Sequence, residues 1–207
     1  MLTYATVADI YRPSEKTRAM FYDMALILCG SVFIGISAQV AIGWPVPFTL
    51  QTFAVLVIGA LLGAKRGGLT ILAYLAEGSA GLPFFAMGTH GLAVLRGFTG
   101  GYLIGFVAAA YIVGLLAEKG WDRKIHTTIL AMVIGNIIIW IFGYSWFAYL
   151  TDPSYALKMG LYPFIAGDLV KIAMAAALLP SGWRVLGYFG PAEGINNHSS
   201  ERTKLAK

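Results

Sequence analysis

The sequence predicts an all-α integral membrane protein, a six-transmembrane-helix bundle with both termini cytoplasmic. Three observations carry that expectation. Of the 207 residues, 58% are hydrophobic and 12% charged, against about 45–50% and about 25% in soluble domains. The charges gather in the first 23 residues, in a few short gaps and after residue 183, leaving long charge-free runs between them. The lysines and arginines also fall mainly in alternate gaps. A bilayer core of about 30 Å needs roughly 20 apolar residues as helix, which places spans at 24–43, 46–64, 67–84, 98–117, 126–150 and 161–180.

Residues 1–23 hold six charges and read as a cytoplasmic or interfacial segment, too polar for the start of a cleaved signal peptide. Within it, 14–23 is expected as a short helix on the inner leaflet. The first span carries no charge and ends where Pro45-Val46-Pro47 breaks helical hydrogen bonding. Lys65-Arg66-Gly67-Gly68 closes the second, and the third is interrupted by Glu77-Gly78 and closes at Gly81-Leu82-Pro83. The fourth runs uninterrupted from Phe98 to Ala117. Trp140, Tyr144, Trp146 and Tyr149 at the far end of the fifth read as an interfacial aromatic belt. The sixth carries Asp168 and Lys171. Residues 24–184 thus form one membrane domain without internal repeats, and 185–207 a polar cytoplasmic tail.

Orientation follows from the basic residues. Arg12, Lys16, Arg18, Lys65, Arg66, Lys119, Arg123, Lys124, Arg184, Arg202, Lys204 and Lys207 all flank one side of the six spans. The other side has only Arg96 and Lys158, and Lys171 lies within a span. By the positive-inside rule both ends are cytoplasmic, as an even number of spans requires. The net charge of +5 is then a topology signal, and no nucleic-acid partner is expected.

Several chemistries lack their residues. No G-x-x-x-x-G-K-[ST] loop is present to bind and hydrolyse ATP, so any ATP-driven work belongs to another subunit. Single Cys29 excludes an internal disulfide framework or a cysteine-built zinc site. His90, His126 and His198 are scattered without metal-ligand spacing, and no G-x-S-x-G elbow occurs. Neither a metal nor a cofactor is expected.

Charged groups inside a bilayer are costly and by default functional. Glu77, Arg96, Asp168 and Lys171 qualify. Asp168 and Lys171 stand i, i+3 and share one helix face, about 10 Å from the outer end of their span. They form either a self-neutralising ion pair or an acceptor and a donor for a polar, uncharged ligand group. The second reading is favoured, because a buried pair adds little stability by itself. Arg96 ends an unusually apolar external segment, 81–96, which folds over the bundle mouth as a ligand lid or as a structural plug with Arg96 snorkelling. A free Arg96 would suit an anionic carboxylate. Glu77 reads as structural. The small-residue ladders Gly97-x-x-x-Gly101-x-x-x-Gly105 and Gly59-x-x-x-Gly63 read as close helix contacts within the bundle.

The run Pro45-Val46-Pro47-Phe48-Thr49-Leu50-Gln51-Thr52-Phe53, the Gly81-Leu82-Pro83 loop, Gly97-Phe98-Thr99-Gly100-Gly101-Tyr102 and the late Gly167-Asp168-x-x-Lys171 element occur together in this order. This combination resembles the BioY family, the biotin-binding membrane subunits (S components) of energy-coupling-factor (ECF) transporters, from about residue 33 to 180. The resemblance implies high-affinity biotin uptake with an ECF transmembrane subunit and an ATPase pair as partners, and no enzymatic activity. It further implies that Asp168 accepts from the ureido N–H groups of biotin and Lys171 donates to its carbonyl. The segment from Pro45 to Gln51 and the loop after Pro83 would close the pocket. The family's loop asparagine has no counterpart in Met87-Gly88-Thr89-His90, where Thr89 and His90 are the candidate replacements. Docking on the transmembrane partner would use small residues of the first helix, for which Ala25-x-x-x-Cys29, Ser31-x-x-x-Gly35 and Ser37-x-x-x-Ala41 are available. A homo-oligomer remains an open alternative. So do two other readings: an intramembrane enzyme using Glu77, His90 and Asp168, and a structural subunit whose charges only hold helices together.

Overall fold

The computed structural model describes residues 4–43 and 45–189. Most of the expected tail, with His198, Arg202, Lys204 and Lys207, lies outside the described residues. Among the described residues the regular structure is helical apart from one short hairpin. In order it forms α1 (Val7–Ile10), α2 (Lys16–Gln39), β1 (Ala41–Ile42), β2 (Phe48–Thr49), α3 (Gln51–Leu62), α4 (Ala64–Ser79), α5 (Leu92–Arg96), α6 (Gly100–Ala117), α7 (Ile125–Leu150), α8 (Pro153–Gly160) and α9 (Tyr162–Phe189). Among the described residues, four segments are long and apolar enough to cross a membrane: Lys16–Gln39, Gly100–Ala117, Ile125–Leu150 and Pro153–Gly187.

Two expected spans are shorter than anticipated. The second begins only at Gln51, because Ala41–Ile42 and Phe48–Thr49, on either side of Pro45-Val46-Pro47, pair antiparallel, Ala41 opposite Thr49 and Ile42 opposite Phe48. A proline pair without amide donors favours this extended arrangement over helix. One residue, Gly63 at φ +83°, separates α3 from α4. At 1.5 Å per residue α3 and α4 are about 18 and 24 Å long, short of a bilayer core. The expected surface helix at 14–23 is instead continuous with α2, since nothing from Lys16 onward breaks the helix. At the other end α9 continues past residue 180, carrying Pro180 inside it.

Close backbone contact organises the bundle. A side chain at Gly59 of α3 would strike the backbone of Ala110 on α6 (3.0 Å to Cα). On α6 itself, Gly101 receives Trp146 and Gly105 receives Phe142 of α7. Gly59, Gly101 and Gly105 of the two ladders therefore pack the chain's own helices, as small residues do where no water drives association, while a Cβ at Gly97 would meet only the carbonyls of Ala93 and Val94. Val55, Ala109, Val113, Ile139 and Phe147 are completely buried at the centre. On α2, Ser31, Gly35 and Ser37 are buried, with Gly35 against the Phe84 ring. They face the chain's own bundle and are not free to dock a partner, whereas Ala25 and Cys29 on the same helix are exposed. The outward face of α2 carries Met24, Leu28, Val32 and Ile36, apolar like its buried face, as expected for a helix between protein and lipid.

The N-terminal segment straps one end of the bundle. Arg66 of α4 pairs with Asp9 and with Asp23 at 3.1 Å, and Arg12 binds Asp23 through two nitrogens. The Arg123 guanidinium lies over the Trp183 ring (4.1 Å) and the Tyr4 ring (4.9 Å), joining the segment to the end of α9. Cation–π contacts of this kind hold best where the cation is partly desolvated.

Candidate ligand-binding site

At the opposite end, a cavity of about 520 Å³ opens between the hairpin, the 81–97 segment and helices α3, α6, α7 and α9. Its volume lies within the range of about 300–1,000 Å³ usual for small-molecule sites. Phe85, Tyr102, Phe106, Ile139 and Phe164 supply apolar wall. Against it stand Asp168 and Lys171, only 1% and 5% exposed. One helical turn apart on α9, they meet as an ion pair with Lys171 Nζ 2.9 Å from Asp168 Oδ1.

Other elements complete the setting of that pair. The Thr52 hydroxyl accepts from Lys171 Nζ at 2.8 Å and lies 3.2 Å from Asp168 Oδ1. The Trp140 indole donates to Asp168 Oδ2 at 3.1 Å. Lys171 Nζ sits 4.1 Å from the centroid of the Phe48 ring, which stacks on Phe164 at 6.1 Å. Buried charges are tolerated when paired and hydrogen-bonded in this way. Such a site offers one polar focus in an apolar chamber, suited to a ligand with a polar, uncharged head and an apolar body.

Of the residues expected at the site, Asp168, Lys171, Gln51, Thr89 and Arg96 line this cavity. Gln51 is braced within the protein: its amide nitrogen donates to the Tyr74 hydroxyl at 2.6 Å and its oxygen accepts from the Thr49 hydroxyl at 3.0 Å. Thr89 lies at the exposed rim and donates to the Ala86 carbonyl at 2.9 Å. Arg96 ends α5 with its side chain exposed and has no ion-pair partner among the described residues. His90 does not line the cavity. Gly91, at φ +90°, donates to the Gly78 carbonyl at 2.8 Å, and that anchor leaves His90 exposed beside the mouth. Glu77 also lies off the lining, so the acid–base trio of Glu77, His90 and Asp168 does not converge on it.

Phe85 seats the 81–96 segment on the bundle, while Leu82, Met87 and Leu92 stay exposed. Phe85 is fully buried, edge-on to Tyr74 at 5.6 Å, and Gln39 donates from α2 to the carbonyls of Pro83 (3.1 Å) and Phe85 (3.4 Å).

Thr52 and Trp140 escaped sequence reasoning, and Phe48 enters it only as part of the segment from Pro45 to Gln51. Trp140 does not join an aromatic belt, because it lies near the middle of α7 and turns inward to Asp168. Its distance from the helix end was the available signal, since belt residues sit at the interface. Thr52 and Phe48 carry no individual mark in the sequence.

The chain matches known proteins along most of its length. The model of the BioY family matches residues 12–188. A protein of Pyrococcus horikoshii described as a probable biotin transporter BioY is 39% identical over 145 residues, 70% of this chain and 85% of its own. The biotin transporter BioY of Thermotoga maritima is 38% identical over 153 residues, 73% of this chain and 89% of its own. Among solved structures, the S-component for biotin from an ECF-type ABC transporter superposes with a TM-score of 0.72. It is 24% identical, and the match covers 83% of this chain and 95% of that one. At that identity the superposition establishes a shared fold.

Proposed function

Because this chain belongs to the BioY family, we propose that it captures biotin in the cavity around Asp168 and Lys171 and moves it across the membrane as the substrate-specific subunit of an ECF-type transporter. The observation that carries the binding mode is the buried Asp168–Lys171 pair facing a largely apolar cavity. Biotin's ureido ring places N–H donors beside a carbonyl, complementary to a carboxylate beside an ammonium. Its thiophane ring and aliphatic chain match the aromatic and aliphatic walls, and its carboxylate would meet Arg96 at the rim, whose guanidinium suits that group.

The membrane topology consistent with this role has six crossings and cytoplasmic termini. Support comes from the basic residues, twelve of 15 on one side. α3 is short for a crossing, but the hairpin preceding it extends the same pass. Irregular backbone at membrane depth is tolerated where it lines a cavity, and Pro45, Val46 and Pro47 do so. With no phosphate-binding loop in the sequence, transport would be energised by a transmembrane subunit and an ATPase pair.

Calorimetric titration of the purified full chain with biotin tests the reading. One-to-one binding is expected, weakened about ten- to a hundredfold by Asp168→Asn or Lys171→Ala, the equivalent of one charged hydrogen bond of about 1.5–3 kcal/mol. Absence of binding by the wild type, or unchanged affinity in both variants, overturns it.

A further inference from the structure

The hydrogen bonds around Asp168 and Lys171 limit what this pair can offer a ligand. A carboxylate has about four acceptor positions and an ammonium three donors. Two positions on Asp168 Oδ1 are taken, by Lys171 Nζ (2.9 Å) and the Thr52 hydroxyl (3.2 Å). One on Oδ2 is taken by the Trp140 indole (3.1 Å). The direction of the Thr52 bond is fixed by chemistry: ammonium cannot accept and carboxylate cannot donate, so Thr52 must accept from Lys171 and donate to Asp168. Lys171 meanwhile uses two donors, on Thr52 and Asp168. One acceptor position is left on Asp168, and one donor on Lys171, whose ammonium also lies 4.1 Å from the centroid of the Phe48 ring.

We propose that Thr52 and Trp140 are positioning residues that restrict the Asp168–Lys171 pair to reading a single N–H/C=O edge of a cyclic urea or lactam, not both N–H groups of the urea. A cis amide edge carries its N–H and C=O side by side, matching an acceptor and a donor on two groups already in contact. The second ureido N–H is then not recognised by Asp168. The inference rests on the biotin reading above and narrows it to one edge of the ring. Thr52 and Trp140 act through the carboxylate: they fix its rotation and fill the positions that would otherwise take a second ligand donor.

The two mono-N-methyl biotins separate the ureido nitrogens, and calorimetry on the full-length protein reads the difference. Wild type should bind biotin and one methyl isomer similarly, and the other isomer at least about tenfold more weakly. Thr52→Val, nearly the same shape without the hydroxyl, should weaken biotin about tenfold and reduce the difference between isomers. Thr52→Ser, which restores the hydroxyl, should recover both. Trp140→Phe should behave like Thr52→Val. Equal losses with both isomers in the wild type, or unchanged biotin affinity and isomer preference in Thr52→Val and Trp140→Phe, overturn the assignment. A wild type that does not bind biotin at all refutes the underlying biotin reading instead.

Discussion

Gly167 on α9 and Phe48 on β2 are packed so closely that a Cβ at position 167 would overlap the Phe48 ring. This contact positions the ring, because Phe48 lies between Phe164 and the Lys171 ammonium. The hairpin and the last helix therefore meet over the buried charge. Gly167→Ala is expected to displace Phe48 from Lys171, weaken biotin binding about tenfold and lower stability by about 1–3 kcal/mol, the usual range for overpacking. Calorimetry and thermal unfolding of the same preparation check both effects.

Gln51 and Tyr74 predict the opposite balance. Their 2.6 Å hydrogen bond is buried, and the Tyr74 hydroxyl continues to the Phe84 carbonyl at 3.3 Å. Tyr74→Phe leaves the Gln51 amide and the Phe84 carbonyl without that partner in a buried setting. A loss of about 1–3 kcal/mol follows from the desolvation of unpaired polar groups. Gln51 lines the cavity, but its amide oxygen and nitrogen are engaged by Thr49 and Tyr74, and Tyr74 lies off the lining, so the change should appear in the melting temperature, with biotin affinity altered by less than about threefold.

How much of this was legible in the sequence depended on the physics of each feature. The spans of α6, α7 and most of α9 were readable because a long charge-free run has few alternatives in a bilayer. The shortness of α3 was not, since composition alone cannot tell apolar helix from an apolar hairpin, although Pro45 and Pro47 marked the place. Asp168 and Lys171 stood out as charges in an apolar run at helical spacing. Thr52 and Phe48 are ordinary residues for a membrane helix and its approach, and they become informative only when folding brings residues 48–52 beside residues 167–171. His90 illustrates the converse: a plausible ligand type in the right loop that is exposed and lies off the cavity lining.

Arg96 should act on the rate and salt dependence of capture more than on the fold. It is an exposed cation at the cavity mouth without an ion-pair partner among the described residues. An exposed charge steers an anionic ligand and is screened over about 8–10 Å at physiological salt. Arg96→Gln is therefore expected to slow biotin association several-fold at low ionic strength, with the difference from wild type shrinking as salt is raised. Stopped-flow binding across a salt series measures this, and the melting temperature should not change.

The N-terminal strap sets a pH limit on stability. Burial opposes ionisation of Asp9, but the Thr6 amide and hydroxyl together with Arg66 outweigh it and hold the carboxyl below its ordinary value of 3.8. The ionised form is thus favoured by folding. Its contribution is fully present above pH 3.8 and is lost as pH falls through the lower, folded value. Asp9→Asn should remove that portion of the acid-induced loss: the variant is less stable than wild type at pH 6, and the two converge toward pH 3. Because Asp9 is 35% exposed, the difference at pH 6 is expected to be up to about 1 kcal/mol, as for part-exposed ion pairs. Thermal unfolding in detergent from pH 6 to pH 3 measures it, and a difference that grows as the pH falls would contradict the strap's role.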